Sequence, residues 1–230
     1  MERYSCILIS VLISAACIVI LFANDSSGTP AQSKKAIIIV SSSNGENQNE
    51  MDKAICFLEY LLDDGYEEED IDLISTGDSE YIDSIDSLSN INASFSGLIS
   101  GSDEDTDVVI YISDNGHAEN GIPSLRFRDG NITGIQFDSW FDQITCSEFT
   151  FIIGGNRSGI IGPDVADPSR TVMSSMGENQ FAFPDLFNIT RSLKDLTADS
   201  NNDGVVDFEE AFWNEVDLLS GTGQDPVLFN

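Results

Sequence analysis

The chain has 230 residues, 40 of them acidic and 10 basic, for a formal net charge of −30. That balance excludes a nucleic-acid surface, which needs clustered Lys and Arg; here only Lys34 and Lys35 are adjacent. Once an N-terminal apolar run is set aside, about 200 residues remain, enough for one compact domain with a sizeable core and tight for two.

Residues 6–23 (CILISVLISAACIVILFA) are uninterrupted apolar or small residues behind a short head carrying Arg3. As a helix they span about 27 Å, close to the hydrocarbon thickness of a bilayer. Residues 1–24 are therefore read as a signal peptide or a single membrane anchor, and the absence of a clear small-x-small cleavage site favours the anchor. Arg3 before the run and the acidic remainder after it place the following domain outside the cytoplasm, or secreted if the segment is cleaved. Residues 25–34 read as a polar linker and residues 35–230 as the domain.

The apolar runs at 36–40 (AIIIV), 108–112 (VVIYI) and 149–153 (FTFII) have the continuous character of strands buried on both faces. Shorter strands are predicted at 71–74 and 171–174. Met51, Ala54, Ile55, Leu58, Leu61 and Leu62 recur at helical spacing, and Gly65 is placed to end that helix. A short helix is predicted over 92–98. Residues 124–137 hold two alternating runs around Asp129-Gly130-Asn131, a hairpin signal, and a helix follows over 137–144. Further helices are predicted at 185–196 and 209–219. Strands alternating with helices imply an α/β fold with a mostly parallel sheet covered on both faces.

Two of the four cysteines lie in the apolar run. Cys56, on the apolar helical face, reads as a core thiol, and nothing in the sequence pairs it with Cys146. Asn24, Asn92, Asn131, Asn156 and Asn188 each begin an Asn-x-Ser/Thr triplet. A chain this rich in Asn, Ser and Thr holds a few by chance; some are expected to carry glycans outside a membrane, and Asn156, beside the sheet, is the least suited.

Residues 199–210 (DSNNDGVVDFEE) have the pattern of an EF-hand-type calcium loop. Asp199, Asn201, Asp203 and Asp207 put side-chain oxygens at positions 1, 3, 5 and 9, and Val205 offers its carbonyl at position 7. Gly204 permits the sharp turn, Val206 is the apolar plug, and Glu210 supplies two oxygens at position 12. The implied cofactor is Ca²⁺. A single loop without a paired partner favours a structural ion over a switch.

In an open parallel sheet the site is expected beyond the carboxyl ends of the strands. The 108–112 strand runs into Asp114-Asn115-Gly116-His117, and the 149–153 strand into Gly154-Gly155-Asn156-Arg157-Ser158-Gly159. Strand-Asp-His-Gly, followed some forty residues later by strand-Ala-Cys-x-Ser-Gly, is the catalytic signature of caspase-like peptidases of the legumain type. Residues 35–230 resemble that family. The opening strand, Ile110 to Asp114, Arg157-Ser158-Gly159 and residues 170–175 carry the likeness, and a calcium loop feeding Glu210-Ala211-Phe212 is similar to prokaryotic members.

The resemblance implies a His–Cys dyad on adjacent strands, and this chain departs from it at both positions. Asn115 falls at the histidine and Asn156 at the cysteine. A carboxamide has neither a useful pKa for general-base work nor a nucleophile comparable to a thiolate. The implied protein is a pseudopeptidase that binds a peptide or protein in the remaining cleft. The alternative is an active cysteine or serine peptidase with a displaced dyad, using His117 with Cys146 or Ser158. A third reading, a calcium-binding surface module whose likeness is accidental, needs only the loop and the anchor.

Overall fold

A computed structural model describes residues 32–41, 48–76, 79–181 and 185–229. In chain order the elements are β1 (Ser33–Val40), α1 (Gln48–Asp63), β2 (Ile71–Ser75), α2 (Leu88–Gly101) and β3 (Thr106–Ser113). Three short strands follow, β4 (Gly116–Glu119), β5 (Ile122–Phe127) and β6 (Gly130–Thr133), then α3 (Gly134–Phe141) and β7 (Glu148–Gly154). The chain closes with α4 (Gly162–Val165), β8 (Thr171–Ser174), α5 (Ile189–Leu193), α6 (Phe208–Leu219) and β9 (Val227–Phe229).

Six strands form one sheet in the order β2-β1-β3-β7-β8-β9. All neighbours are parallel except β8 and β9, which are antiparallel. The expected mostly parallel α/β sheet is therefore present, and β9, too short to signal itself in the sequence, adds an antiparallel edge. Ala36, Ile38 and Val40 pack on one face with α1, α5 and α6, while Ile37 and Ile39 pack on the other with α2 and α3. The period-2 alternation of a strand explains why runs such as AIIIV contain no polar residue: both faces are covered.

Several boundaries differ from the sequence expectation. β1 begins at Ser33 rather than 36, because the Lys34 ammonium reaches Asp64 at 2.7 Å and Lys35 pairs with Asp70. Two charged residues are thus accommodated at the end of an otherwise buried strand. α2 starts at Leu88 rather than 92, where the Ser87 hydroxyl accepts the Asn90 N–H as an N-cap. α3 covers 134–141 rather than 137–144, set by a Thr133–Gln136 capping box. The helix predicted over 185–196 is reduced to α5 plus a 3₁₀ turn, Leu196–Ala198, since Asn188 caps α5 through the Arg191 N–H. Gly65 ends α1 as expected, with φ +90° and the Gly65 N–H to Leu62 and Tyr66 N–H to Leu61 bonds of a Schellman motif.

Cys56 is a correction. The buried stripe of α1 runs through Ala54, Phe57, Leu58 and Leu61, and Cys56 falls off it and is exposed. Cys146 packs against the opposite face of the sheet, so the two thiols are not bonded. Among the described residues no helix is long and apolar enough to cross a membrane. The apolar run 6–23 and most of the expected linker lie outside the described residues.

Candidate functional site

β3 and β7 are adjacent and parallel, with Ser113 opposite Gly154 at their carboxyl ends. The chain segments beyond them stay in contact. Asp114 N–H donates to the Gly154 carbonyl at 3.0 Å, and Gly116 N–H to the Asn156 carbonyl at 2.7 Å. Between these bonds the Asn115 side-chain oxygen accepts the Asn156 backbone N–H at 2.9 Å. The two residues singled out from the sequence thus meet where two strands end.

Two glycines make this approach feasible. A Cβ on Gly116 would lie 2.0 Å from the Arg157 carbonyl oxygen, and one on Gly155 would lie 2.3 Å from that of Asp114. Gly155 also has φ +109°, which an L side chain rarely adopts. The buried Asp114 carboxylate accepts the backbone N–H groups of Asn115 and Arg126, tying the β3 end to β5.

Behind the β7 end lies a polar network that the sequence did not disclose. Asp185 accepts the Gly155 N–H at 2.9 Å, the Ser175 hydroxyl at 3.0 Å and the Phe187 N–H at 3.0 Å, and Gln224 also donates to it. Buried Glu50, from α1, accepts the Ser113 hydroxyl at 2.9 Å and the Lys53 ammonium at 3.0 Å. Burial, with the Glu50 and Asp185 charges, pushes the Tyr111 phenol well above its ordinary range. The available signal was a set of polar residues inside segments otherwise reading as core, but their partners are remote in sequence.

The fallback nucleophiles are placed unfavourably. Ser158 is fully buried, and its hydroxyl shares hydrogen bonds with Ser174 at 3.1 Å, Ser175 at 3.2 Å and the Met176 N–H at 3.2 Å. It shapes the turn after β7 and is closed to substrate. Cys146 precedes β7, whereas His117 follows β3, its parallel neighbour. A seven-residue strand, about 20 Å, therefore separates the two ends, and a thiol pair with His117 is not formed. Burial, then Asp107, pushes the Cys146 thiol up, opposed in part by Arg170, which disfavours the thiolate. His117 itself sits half-buried in β4, opposite Ser124 of β5.

Loop 199–210 folds around its own oxygens. Asp199 accepts the Asp203 and Gly204 N–H groups at 3.2 and 3.0 Å, and Asn201 accepts the Asp203 N–H at 2.8 Å. Asp203 accepts the Val205 N–H at 2.9 Å. Gly204 takes φ +94° at the turn, and Val206 is buried in the core. Asp207 and Glu210 form a reciprocal capping box that starts α6. Glu210 also accepts the Ser200 hydroxyl, which is the largest cause holding its carboxyl below the usual range.

Among the described residues no group of three or more His, Cys, Asp or Glu stands close enough together to hold a metal ion. The loop's oxygens instead point at its backbone N–H groups. Its donor set, four carboxylates, one carboxamide and the Val205 carbonyl, is all oxygen and fits the hard-cation chemistry of calcium. No family model matches this chain, and no curated protein matches it.

Proposed function

We propose that this chain is a calcium-carrying binding module on a caspase-like scaffold from which peptidase chemistry has been lost, held at an extracytoplasmic membrane face by residues 6–23. One observation carries the reading. Asn115 and Asn156, at the positions the resemblance gives to histidine and cysteine, are joined by a 2.9 Å hydrogen bond across the ends of β3 and β7. The Asn115 side chain ties the two strand ends together through the Asn156 main chain, and the two carboxamides offer a bound peptide hydrogen-bond donors and acceptors but neither a base nor a nucleophile. The enclosed Ser158 and the remote Cys146 count against the displaced-dyad alternative.

Asp199, Asn201, Asp203, Asp207 and Glu210, with the Val205 carbonyl, would hold the calcium. Bound there, calcium would supply the positive charge that draws these oxygens together, with Glu210 contributing from the first turn of α6. Through Val206 and Phe212 that loop and helix are anchored in the core, which favours a structural role.

The test is hydrolysis of a diverse peptide library by the calcium-loaded protein, with His117→Ala beside it. No turnover by either protein is the expected result. Turnover abolished by His117→Ala would establish a rearranged active site and overturn the reading. Peptide binding that survives Asn115→Ala and Asn156→Ala unchanged would remove the cleft from the proposal.

A further inference from the structure

We propose that the exposed side of the β4–β5–β6 sheet binds carboxylate side chains, so that the ligand of this domain is an acidic peptide segment. The choice of a peptide rests on the cleft reading above, but the residues involved are different ones.

The starting point is where the cations go in so acidic a chain. Lys34, Lys35, Lys53, Arg170 and Arg191 each form an ion pair with a carboxylate. Arg157 donates to the Glu178 carbonyl at 2.9 Å and stacks on Phe181. Among the described residues that leaves Arg126, Arg128 and Lys194 as the cations with neither kind of tie. Two of these three line a single groove of about 780 Å³, together with His117, the chain's one histidine.

The fold puts them there for local reasons. Leu125, Phe127 and Ile132 of the small sheet are buried against α3, which turns Arg126 outward. His117 is opposite Ser124, two residues from Arg126 on the same side, a diagonal pair about 7–8 Å apart between Cα atoms. Arg128 lies just beyond β5, in the turn to β6. One acid, Glu119, also lines the groove, where it accepts the Asn131 amide at 3.3 Å, so the two guanidinium groups outnumber it; Asp129 accepts the Leu88 N–H at 2.8 Å.

Two guanidinium groups in one groove match carboxylates bidentately, each as a planar fork. The groove is too large for a single small anion and holds several residues of extended chain. Asn120 lines it and supplies an amide for a peptide main chain. It begins at His117, two residues past Asn115, so a peptide crossing the Asn115–Asn156 contact is within about 7 Å of its mouth. At 0.15 M salt the screening length is about 8 Å, so the remote acids of the protein are screened while these contacts are not.

The experiment is fluorescence anisotropy of labelled hexaglutamate and labelled hexaglutamine peptides with the full-length chain in nonionic detergent at 0.15 M salt. Hexaglutamate is expected to bind at least tenfold more tightly, and Arg126→Gln/Arg128→Gln to remove that preference. Both side chains are exposed, and a thermal melt matching the parent shows that the variant is folded; Arg128→Glu provides a second readout, again weakening hexaglutamate alone. Equal binding of the two peptides, or a preference untouched by the arginine variants, overturns the inference. Loss of binding in Asn115→Ala/Asn156→Ala with no effect of the arginine variants leaves the cleft reading standing and overturns this one. The reverse pattern supports the arginine groove and removes the cleft.

Discussion

The side-chain oxygen of Asn115 accepts the main-chain N–H of Asn156 at 2.9 Å, bridging 41 positions of sequence. Because Asn156 donates through its backbone, only the acceptor is removable by mutation. Asn115→Ala is expected to lower unfolding free energy by about 0.5–1.5 kcal/mol, the net worth of one such bond. Urea unfolding measures it; an unchanged midpoint would show that the bond holds nothing in place.

Calcium is expected to raise the melting temperature, with a gain of about 2.7 kcal/mol at free calcium 100 times the dissociation constant. Glu210→Gln, which loses a carboxylate at position 12, is expected to abolish the shift. A melt in calcium against one in chelator decides it, and identical curves for the parent protein would rule calcium out of this loop.

Gly116 and Gly97 are expected to respond oppositely to alanine. A Cβ at Gly116 meets the Arg157 carbonyl at 2.0 Å and Ile160 at 2.7 Å, so the strand end must shift and stability falls by more than about 2 kcal/mol. At Gly97, inside α2, a Cβ meets nothing within 4 Å, and helix propensity predicts a gain of about 0.5–1 kcal/mol. The paired denaturation curves test both signs.

Glu215 is fully buried and accepts Arg191 at 2.7 and 3.1 Å, the Ser192 hydroxyl at 2.6 Å and the Asn188 N–H at 3.1 Å, joining α5 to α6. Arg191→Ala is expected to cost about 2–3 kcal/mol, below the range for a fully buried pair because two donors remain and the guanidinium is half exposed. Arg191→Ala/Glu215→Gln is expected to recover part of that loss, since no buried charge is then stranded.

Tyr60 is pushed up to about 12 by burial and then by Asp64; Tyr66 and Tyr111 are likewise raised well above their ordinary range, mainly by burial. Each phenol ionises near 10 when unfolded, so the folded state favours the neutral form. The stability they contribute is complete below pH 10 and declines as pH rises toward 12 and beyond. Absorbance at the tyrosinate band during an alkaline titration should show these three ionising late, together with unfolding. Ionisation of all three near pH 10 in the folded protein would contradict their burial.

The sequence by itself determined the buried strands, because residues such as Ile37 to Ile39 are apolar on both faces and only a covered sheet accommodates that. It determined the oxygen pattern of loop 199–210 and the end of α1 at Gly65, since both depend on chemistry within a few residues. It also singled out Asn115 and Asn156, but not their contact. Tertiary structure alone decided what long-range pairing controls. Parallel register brings the ends of β3 and β7 together and puts Cys146 at the far end of the sheet. The same folding encloses Ser158 among Ser174, Ser175 and Met176, and gathers Asp185, Ser175 and Gln224 behind Gly155. No local signal marks such partners: a hydrogen bond spanning 30 or 40 residues leaves no periodicity in the chain, and a polar residue reads the same until its donor is in place.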